Sequence, residues 1–122
     1  MSNKKTILIA EDYALTRAFL KAIFVSDMYF VLEASDGQEA YELVKNNKVD
    51  LIVTDIEMPV MDGIELLKLL KKEGRAMPSI VITGKDNVTI KDFIELGVLE
   101  CIPKPFNKDQ ILDLLANIFS KE

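Results

Sequence analysis

The sequence predicts an α/β fold: five parallel strands in one sheet, covered by helices on both faces. Three observations predict it. Short apolar, β-branched runs recur five times; between them apolar residues return at the 3.6-residue period of a helix; and turn or cap residues punctuate the junctions. Strand-then-helix units of this kind join by right-handed crossovers, which gives a doubly wound (βα)5 arrangement. The 122 residues suit a single domain spanning 1–122, and a hydrophobic fraction of 49% supplies its core.

Thr6-Ile7-Leu8-Ile9-Ala10 reads as a first strand buried on both faces. Leu15, Ala18, Phe19, Ala22 and Ile23 then recur at helical spacing. Phe30 to Ala34 is a second strand, and Ser35-Asp36-Gly37 makes a turn with a helix cap before the helix marked by Ala40, Leu43 and Val44. Asp50 to Asp55 is the third strand and the most strongly β-like. Ile56 to Asp62 is a loop, because Pro59 breaks continuity and Asp62-Gly63 signals a cap; Leu66, Leu67 and Leu70 build the next helix, ending near Gly74. Pro78 to Thr83 is the fourth strand. A short, less regular helix is expected over Val88 to Leu96, stopped by Gly97; Val98 to Ile102 is the fifth strand, and Ile111, Leu114, Leu115 and Ile118 line a final helix.

Charged residues make up 29% of the chain with a formal net charge of -5, and no Lys/Arg cluster interrupts that balance, so a nucleic-acid surface is not expected. No apolar run approaches the roughly 18 residues of a membrane span. The single cysteine, Cys101, excludes an internal disulfide and fits a reducing cytoplasm. Met1-Ser2-Asn3-Lys4-Lys5 leads straight into the first strand, so a native amino terminus without a secretory leader is expected. Histidine is absent, which leaves carboxylates, Lys104 and hydroxyls as the candidate chemistry. Oxygen donors of that kind suit hard cations such as magnesium.

In doubly wound sheets ligands gather at the carboxyl ends of the strands. Periodicity places Glu11-Asp12, Asp55, Thr83 and Lys104 there, on strands one, three, four and five. Three crowded carboxylates repel unless a cation neutralises them, and magnesium is held by one or two carboxylates plus a phosphate oxygen. A strand-end carboxylate can also attack phosphorus to form an acyl phosphate, with Lys104 and Thr83 supplying charge and a hydrogen bond. Taken singly, Asp12 reads equally well as a turn or cap residue, Asp62 as a cap and Thr83 as a β-branched strand residue. The combination carries the chemistry.

With Glu11-Asp12, Asp55 opening Asp-Ile-Glu-Met-Pro-Val-Met-Asp-Gly, Thr83-Gly84 and Lys104-Pro105-Phe106, the chain resembles the response-regulator receiver family of two-component systems along essentially its whole length. It is similar to the single-domain chemotaxis and sporulation-relay receivers. The resemblance implies a flavodoxin-like strand order 2-1-3-4-5 and a phosphoacceptor role for Asp55. It implies magnesium, for which manganese can substitute, on Asp12, Asp55 and the backbone carbonyl of Glu57, with Glu11 assisting through water. Lys104 should pair with the phosphoryl oxygens, Thr83 should move toward them with Gly84 leaving room, and Lys104-Pro105 should be a cis peptide. The implied partners are a sensor histidine kinase or histidine phosphotransfer protein, and a downstream target or a separate effector domain. The implied output surface is the segment 88–96, the fifth strand and the final helix. A cytoplasmic location follows, with the chain either a stand-alone receiver or a domain of a longer regulator.

Two positions depart from the family pattern. Cys101 stands where an aromatic switch is usual, so signalling is expected to rely on loop and segment movement or, more simply, Cys101 is a packing substitution. The second is Glu57, two residues after Asp55; it and Lys85, two residues after Thr83, are expected to face the site mouth, where an ion pair between them would tune phosphoryl lifetime. Two other readings compete. A haloacid-dehalogenase-like phosphatase also uses an aspartate nucleophile, and Glu57 occupies its general-acid position; a receiver-like binding module would need no phosphorylation.

Overall fold

The computed structural model describes residues 4–85 and 88–120; Met1–Asn3, Asp86–Asn87 and Lys121–Glu122 lie outside the described residues, so both ends of the expected domain do as well. All five expected strands form: β1 (Thr6–Ala10), β2 (Phe30–Ala34), β3 (Leu51–Asp55), β4 (Ser79–Thr83) and β5 (Val98–Pro103). They pair in parallel in the order β2-β1-β3-β4-β5. Among the described residues four α-helices join them: α1 (Ala14–Ser26), α2 (Gly37–Asn46), α3 (Gly63–Lys72) and α4 (Lys108–Phe119).

Strand periodicity divides the core in two. Ile7, Ile9, Leu51, Val53, Ile80 and Ile82 pack with α1 and α4 on one face. Their neighbours Leu8, Ala10, Ile52 and Val81 pack with α2 and α3 on the other. Successive side chains of a strand point to opposite faces, so near-continuous apolar runs are what a sheet covered on both sides requires.

Three of the four helix starts, those of α2, α3 and α4, rest on side-chain caps. Asp36 accepts from the backbone N–H of Glu39 at the head of α2. Asp62 and Glu65 form a reciprocal capping box on α3, at 2.8 and 3.0 Å, and Asn107 and Gln110 form another on α4. Such caps contribute about 1 kcal/mol each. The helix stops also behave as read, with Gly74 and Gly97 at φ of 73° and 90°.

Two expectations need correction. Residues 88–96 do not form an α-helix; they make two 3-10 turns, Ile90–Asp92 and Ile94–Leu96. Val88, Thr89 and Ile90 are β-branched and poor helix formers, and Phe93, at φ -133°, breaks the winding between the turns. In α1 the buried residues are Leu20, Ile23 and Phe24, whereas Leu15 and Phe19 are 69% and 44% exposed. This helix carries two apolar stripes, and the sheet takes the second.

Candidate functional site

Strand ends bring the chemistry together. Along β1, Ile7 and Ile9 face α1 and α4, and Glu11 continues that alternation just past the strand; Asp55 does the same on β3 after Leu51 and Val53. Register sets Asp55 beside Ile82, one residue before Thr83, and Thr83 beside Pro103, one residue before Lys104. The backbone N–H of Lys104 donates to the Thr83 carbonyl at 2.9 Å.

Glu11, Asp12 and Asp55 each offer a carboxylate oxygen within 4.8 Å of the others. The Lys104 ammonium donates to Glu11 Oε1 at 2.9 Å and to Asp55 Oδ2 at 2.7 Å. Glu11 is 2% exposed and Asp55 7%, while Asp12 opens to solvent. Asp55 is held from below: Oδ1 accepts from the Glu57 N–H at 3.2 Å, and its carbonyl accepts from the Thr54 hydroxyl at 2.9 Å. Lys104-Pro105 is cis, as expected.

Burial, with the Asp55 charge adding to it, pushes the Glu11 carboxyl up from 4.5 to about 7, against the opposing pull of Lys104. For Lys104 burial acts to lower the pKa, but its hydrogen bonds to Asp55 and Glu11 outweigh that and hold the ammonium above its ordinary value. One lysine therefore does not neutralise the cluster. A consequence for stability follows with a definite sign. The folded metal-free domain keeps a proton on Glu11 that the unfolded chain has released, so the stabilisation is complete below about pH 4.5 and is lost as pH rises through about 7. The thermal midpoint in chelator should fall between those values, by up to about 1.4 kcal/mol of stability per pH unit, and Glu11→Gln should flatten the fall. Superimposable profiles for the two proteins would contradict this.

The donor set fits a magnesium ion. Every candidate ligand is an oxygen, no histidine or cysteine enters the cluster, and the negative charge exceeds what Lys104 supplies.

The remaining sequence candidates fall around this centre. Thr83 is buried, and its hydroxyl oxygen accepts from the Lys85 N–H at 2.9 Å, so its side chain is engaged with its own loop. An added Cβ on Gly84 would meet nothing within 4 Å. Glu57 and Lys85 line one depression of about 580 Å³ together with Asp12 and Asp62, the mouth of the site. They form no ion pair, and that part of the expectation is corrected: the two side chains share the opening as separate, solvated charges. Cys101 is half-buried on β5, paired with Val81, and packs toward the face that residues 88–96 cover.

Two neighbours were not read from the sequence. Arg17 Nη1 donates to the Glu11 carbonyl at 2.8 Å. The available signal was an arginine one turn into a helix whose cap residue, Tyr13, makes no side-chain cap bond. An apolar groove of about 500 Å³ beside the site is lined by Leu15, Thr16, Phe19, Lys104, Pro105 and Phe106. The exposed stripe of α1 supplies one wall of it, which the choice of helix face concealed.

A doubly wound parallel sheet whose carboxyl rim holds an aspartate, an acidic neighbour pair and a bridging lysine is chemically suited to accepting a phosphoryl group. Sequence comparison agrees: the chain belongs to the response regulator receiver domain family, whose profile matches residues 7–116. It is 34% identical over 116 residues to the aerobic respiration control protein ArcA of Escherichia coli K12, covering 94% of this chain and 48% of that protein. It is 32% identical over 114 residues to sporulation initiation phosphotransferase F of Bacillus subtilis, covering 93% and 91%. The chain thus spans about half the length of ArcA and nearly all of the sporulation protein. Among solved structures, the CheX-CheY-BeF3-Mg2+ complex of Borrelia burgdorferi matches at a TM-score of 0.84 and 31% identity, covering 94% of this chain and 89% of that one. Nothing in these matches favours the haloacid-dehalogenase-like reading. Among the described residues no helix is long and apolar enough to cross a membrane.

Proposed function

We propose that Asp55 accepts a phosphoryl group from a partner's phosphohistidine, or from a small acyl phosphate, and that the new charge alters the surface formed by residues 88–96, β5 and α4. The observation that supports this most is the convergence of Asp55, Glu11, Asp12 and Lys104, from separate strand ends, on one rim. A carboxylate oxygen of Asp55 attacks phosphorus in line. With phosphohistidine the P–N bond breaks and its electron pair stays on the imidazole nitrogen; with an acyl phosphate the P–O bond to the acyl group breaks and a carboxylate leaves; in both the Asp55 O–P bond forms. Magnesium, carried by Asp12, Asp55 and the Glu57 carbonyl with Glu11 assisting through water, would neutralise charge on the phosphoryl oxygens; manganese would serve similarly. Lys104 exchanges its bond to Glu11 for a phosphoryl oxygen. The Thr83 hydroxyl donates its proton to another while its oxygen still accepts from the Lys85 N–H, and so pulls on the loop it holds.

Phosphorylation replaces the single negative charge of the Asp55 carboxylate with a phosphoryl group of about -1.5 to -2 at neutral pH, a net gain of about -0.5 to -1. With Cys101 in place of an aromatic ring, the change reaches the output face through the loop after Thr83 and the 3-10 turns. A beryllofluoride-loaded structure in which only Cys101 rotated would contradict that route. The protein phosphodonor is a sensor histidine kinase or a histidine phosphotransfer protein, the partners of the receiver family, and these 122 residues contain no histidine that could carry the group first. The complex of the Borrelia chemotaxis relative with BeF3 and magnesium supports the ligand chemistry. The domain works in the cytoplasm, alone or within a longer regulator, and catalyses its own phosphorylation and dephosphorylation. Magnesium-dependent gain of one phosphoryl mass from acetyl phosphate tests the reading.

Glu57 and Lys85 line the depression at the site, and in this reading they tune the approach of a hydrolytic water. Glu57→Ala and Lys85→Ala should each change the autodephosphorylation rate, by roughly 2- to 10-fold, or about 0.4–1.4 kcal/mol at the barrier. Wild-type decay in both variants would remove them from that role.

A further inference from the structure

The turn that carries Glu11 and Asp12 is held differently from the other helix entries. The helices α2, α3 and α4 each begin on a side-chain cap, from Asp36, Asp62 and Asn107. Helix α1 begins on Tyr13 with no side-chain cap bond and no acidic residue in its first turn. Two bonds tie α1 back to the end of β1: Glu11 Oε2 accepts from the Tyr13 N–H at 3.3 Å, and Arg17 reaches the backbone of Glu11. Arg17 Nη1 donates to the Glu11 carbonyl oxygen at 2.8 Å. The Glu11 N–H is fixed too, donating to the Ala34 carbonyl at 3.0 Å.

That carbonyl belongs to the peptide unit joining the two acidic residues. A peptide is planar, so holding its oxygen restricts where the Asp12 Cα, the root of that carboxylate, can lie. The guanidinium is anchored in turn: Nε lies 3.6 Å from Glu33 Oε1, and Lys21 Nζ lies 2.9 Å from Glu33 Oε2. A planar guanidinium presents donors in fixed directions and can serve a carbonyl and a carboxylate at once, which an ammonium cannot do with the same geometry. Arg17 is 23% exposed and Glu33 34%, and pairs of that kind contribute little stability by themselves.

We propose that Arg17 is a positioning residue for the cation site: it sets the Glu11–Asp12 peptide so that the three carboxylates keep the separation a small octahedral cation requires. This rests on the reading of Glu11, Asp12 and Asp55 as a magnesium site. The sign of the effect separates positioning from charge. A guanidinium near the site repels a cation, so if its charge dominated, removing it would tighten magnesium binding. If it acts through geometry, removing it weakens binding, because magnesium tolerates little departure from octahedral ligation. Supporting residues behind metal ligands typically contribute about 10- to 100-fold in affinity.

The test is a calorimetric magnesium titration of the wild type, Arg17→Gln, Arg17→Lys, Glu33→Gln and Lys21→Gln, each with its thermal midpoint in chelator. Arg17→Gln should bind magnesium about 10-fold more weakly. Arg17→Lys, which can bring a donor to the Glu11 carbonyl but not serve Glu33 with the same geometry, should recover part of that loss, and Glu33→Gln, which frees the guanidinium from its anchor, should weaken binding less than Arg17→Gln does. Lys21→Gln removes a nearby charge but no bond to the turn, and should bind as the wild type does or slightly tighter. If Arg17→Gln does not fold, the Glu33→Gln and Lys21→Gln pair carries the same comparison. Unchanged or tighter binding in Arg17→Gln would overturn the proposal, as would equal losses in Arg17→Gln and Arg17→Lys, or losses that track the thermal midpoints across all variants. A wild type that binds no magnesium would instead remove the reading of the cation site, and the proposal with it.

Discussion

Replacing Lys104 with alanine is expected to slow phosphorylation of the domain by acetyl phosphate about 100- to 1,000-fold, or roughly 3–4 kcal/mol of transition-state stabilisation. The ammonium stands 2.7 Å from one Asp55 oxygen, where charge on a transferring phosphoryl group must be met. It is also shared with Glu11 at 2.9 Å, so its loss leaves two nearly buried carboxylates facing each other. Breaking a buried ion pair ordinarily costs about 3–5 kcal/mol. The cost should be smaller here at low pH, because Glu11, already pushed up to about 7, can take the proton that relieves the repulsion. Hence Lys104→Ala should lose more stability at pH 8 than at about pH 6, while its rate defect should persist at both. Phosphorylation kinetics and thermal melts at the two pH values check this, and an undiminished rate would remove Lys104 from the chemistry.

Gly63→Ala should be the most damaging single substitution to the scaffold beneath the site. The first residue of α3 passes directly under the end of β3, and an added Cβ would overlap the Asp55 carbonyl oxygen and lie 3.0 Å from the Thr54 hydroxyl. Neither neighbour can swing away, since one is backbone and the other donates its hydrogen bond to the same carbonyl. Alanine gains about 1 kcal/mol in helix propensity, which the overlap should outweigh for a net loss of about 3 kcal/mol. That is roughly 10 °C in thermal midpoint for a domain of this size. Gly84→Ala, at an open position, should stay within about 0.5 kcal/mol of the wild type. Similar midpoints for the two variants would contradict the account of α3 packing.

Much of this was legible in residues whose pattern admits one structural solution. Ile7–Ala10 and Leu51–Val53 are unbroken apolar runs, as a sheet covered on both faces requires, so they read as interior strands and form as such. Asp36, Asp62 and Gly97 announce helix ends through side-chain or backbone chemistry that is local, and local chemistry survives folding. The site followed because parallel strands deliver their next residues to one rim.

Where two solutions were available, the sequence did not choose. Helix α1 has an apolar stripe through Leu15 and Phe19 and another through Leu20, Ile23 and Phe24, and only the fit to the sheet, with Arg17 and Lys21 set over Glu33, decides between them. Residues 88–96 have helical spacing but a β-branched start and an internal break at Phe93, and the break prevails. The Arg17 bond to the Glu11 carbonyl was invisible because it joins a side chain to a backbone oxygen across a turn, and no residue pattern marks such a partner.

The central claim is that Asp55 carries the phosphoryl group. The direct measurement is intact mass after acetyl phosphate, with and without magnesium, for the wild type and Asp55→Asn. The account expects one phosphoryl group on the wild type, present with magnesium and lost on chelation before the reaction, and none on Asp55→Asn although that variant remains folded. Equal labelling of Asp55→Asn, or labelling of the wild type that is indifferent to magnesium, would contradict it.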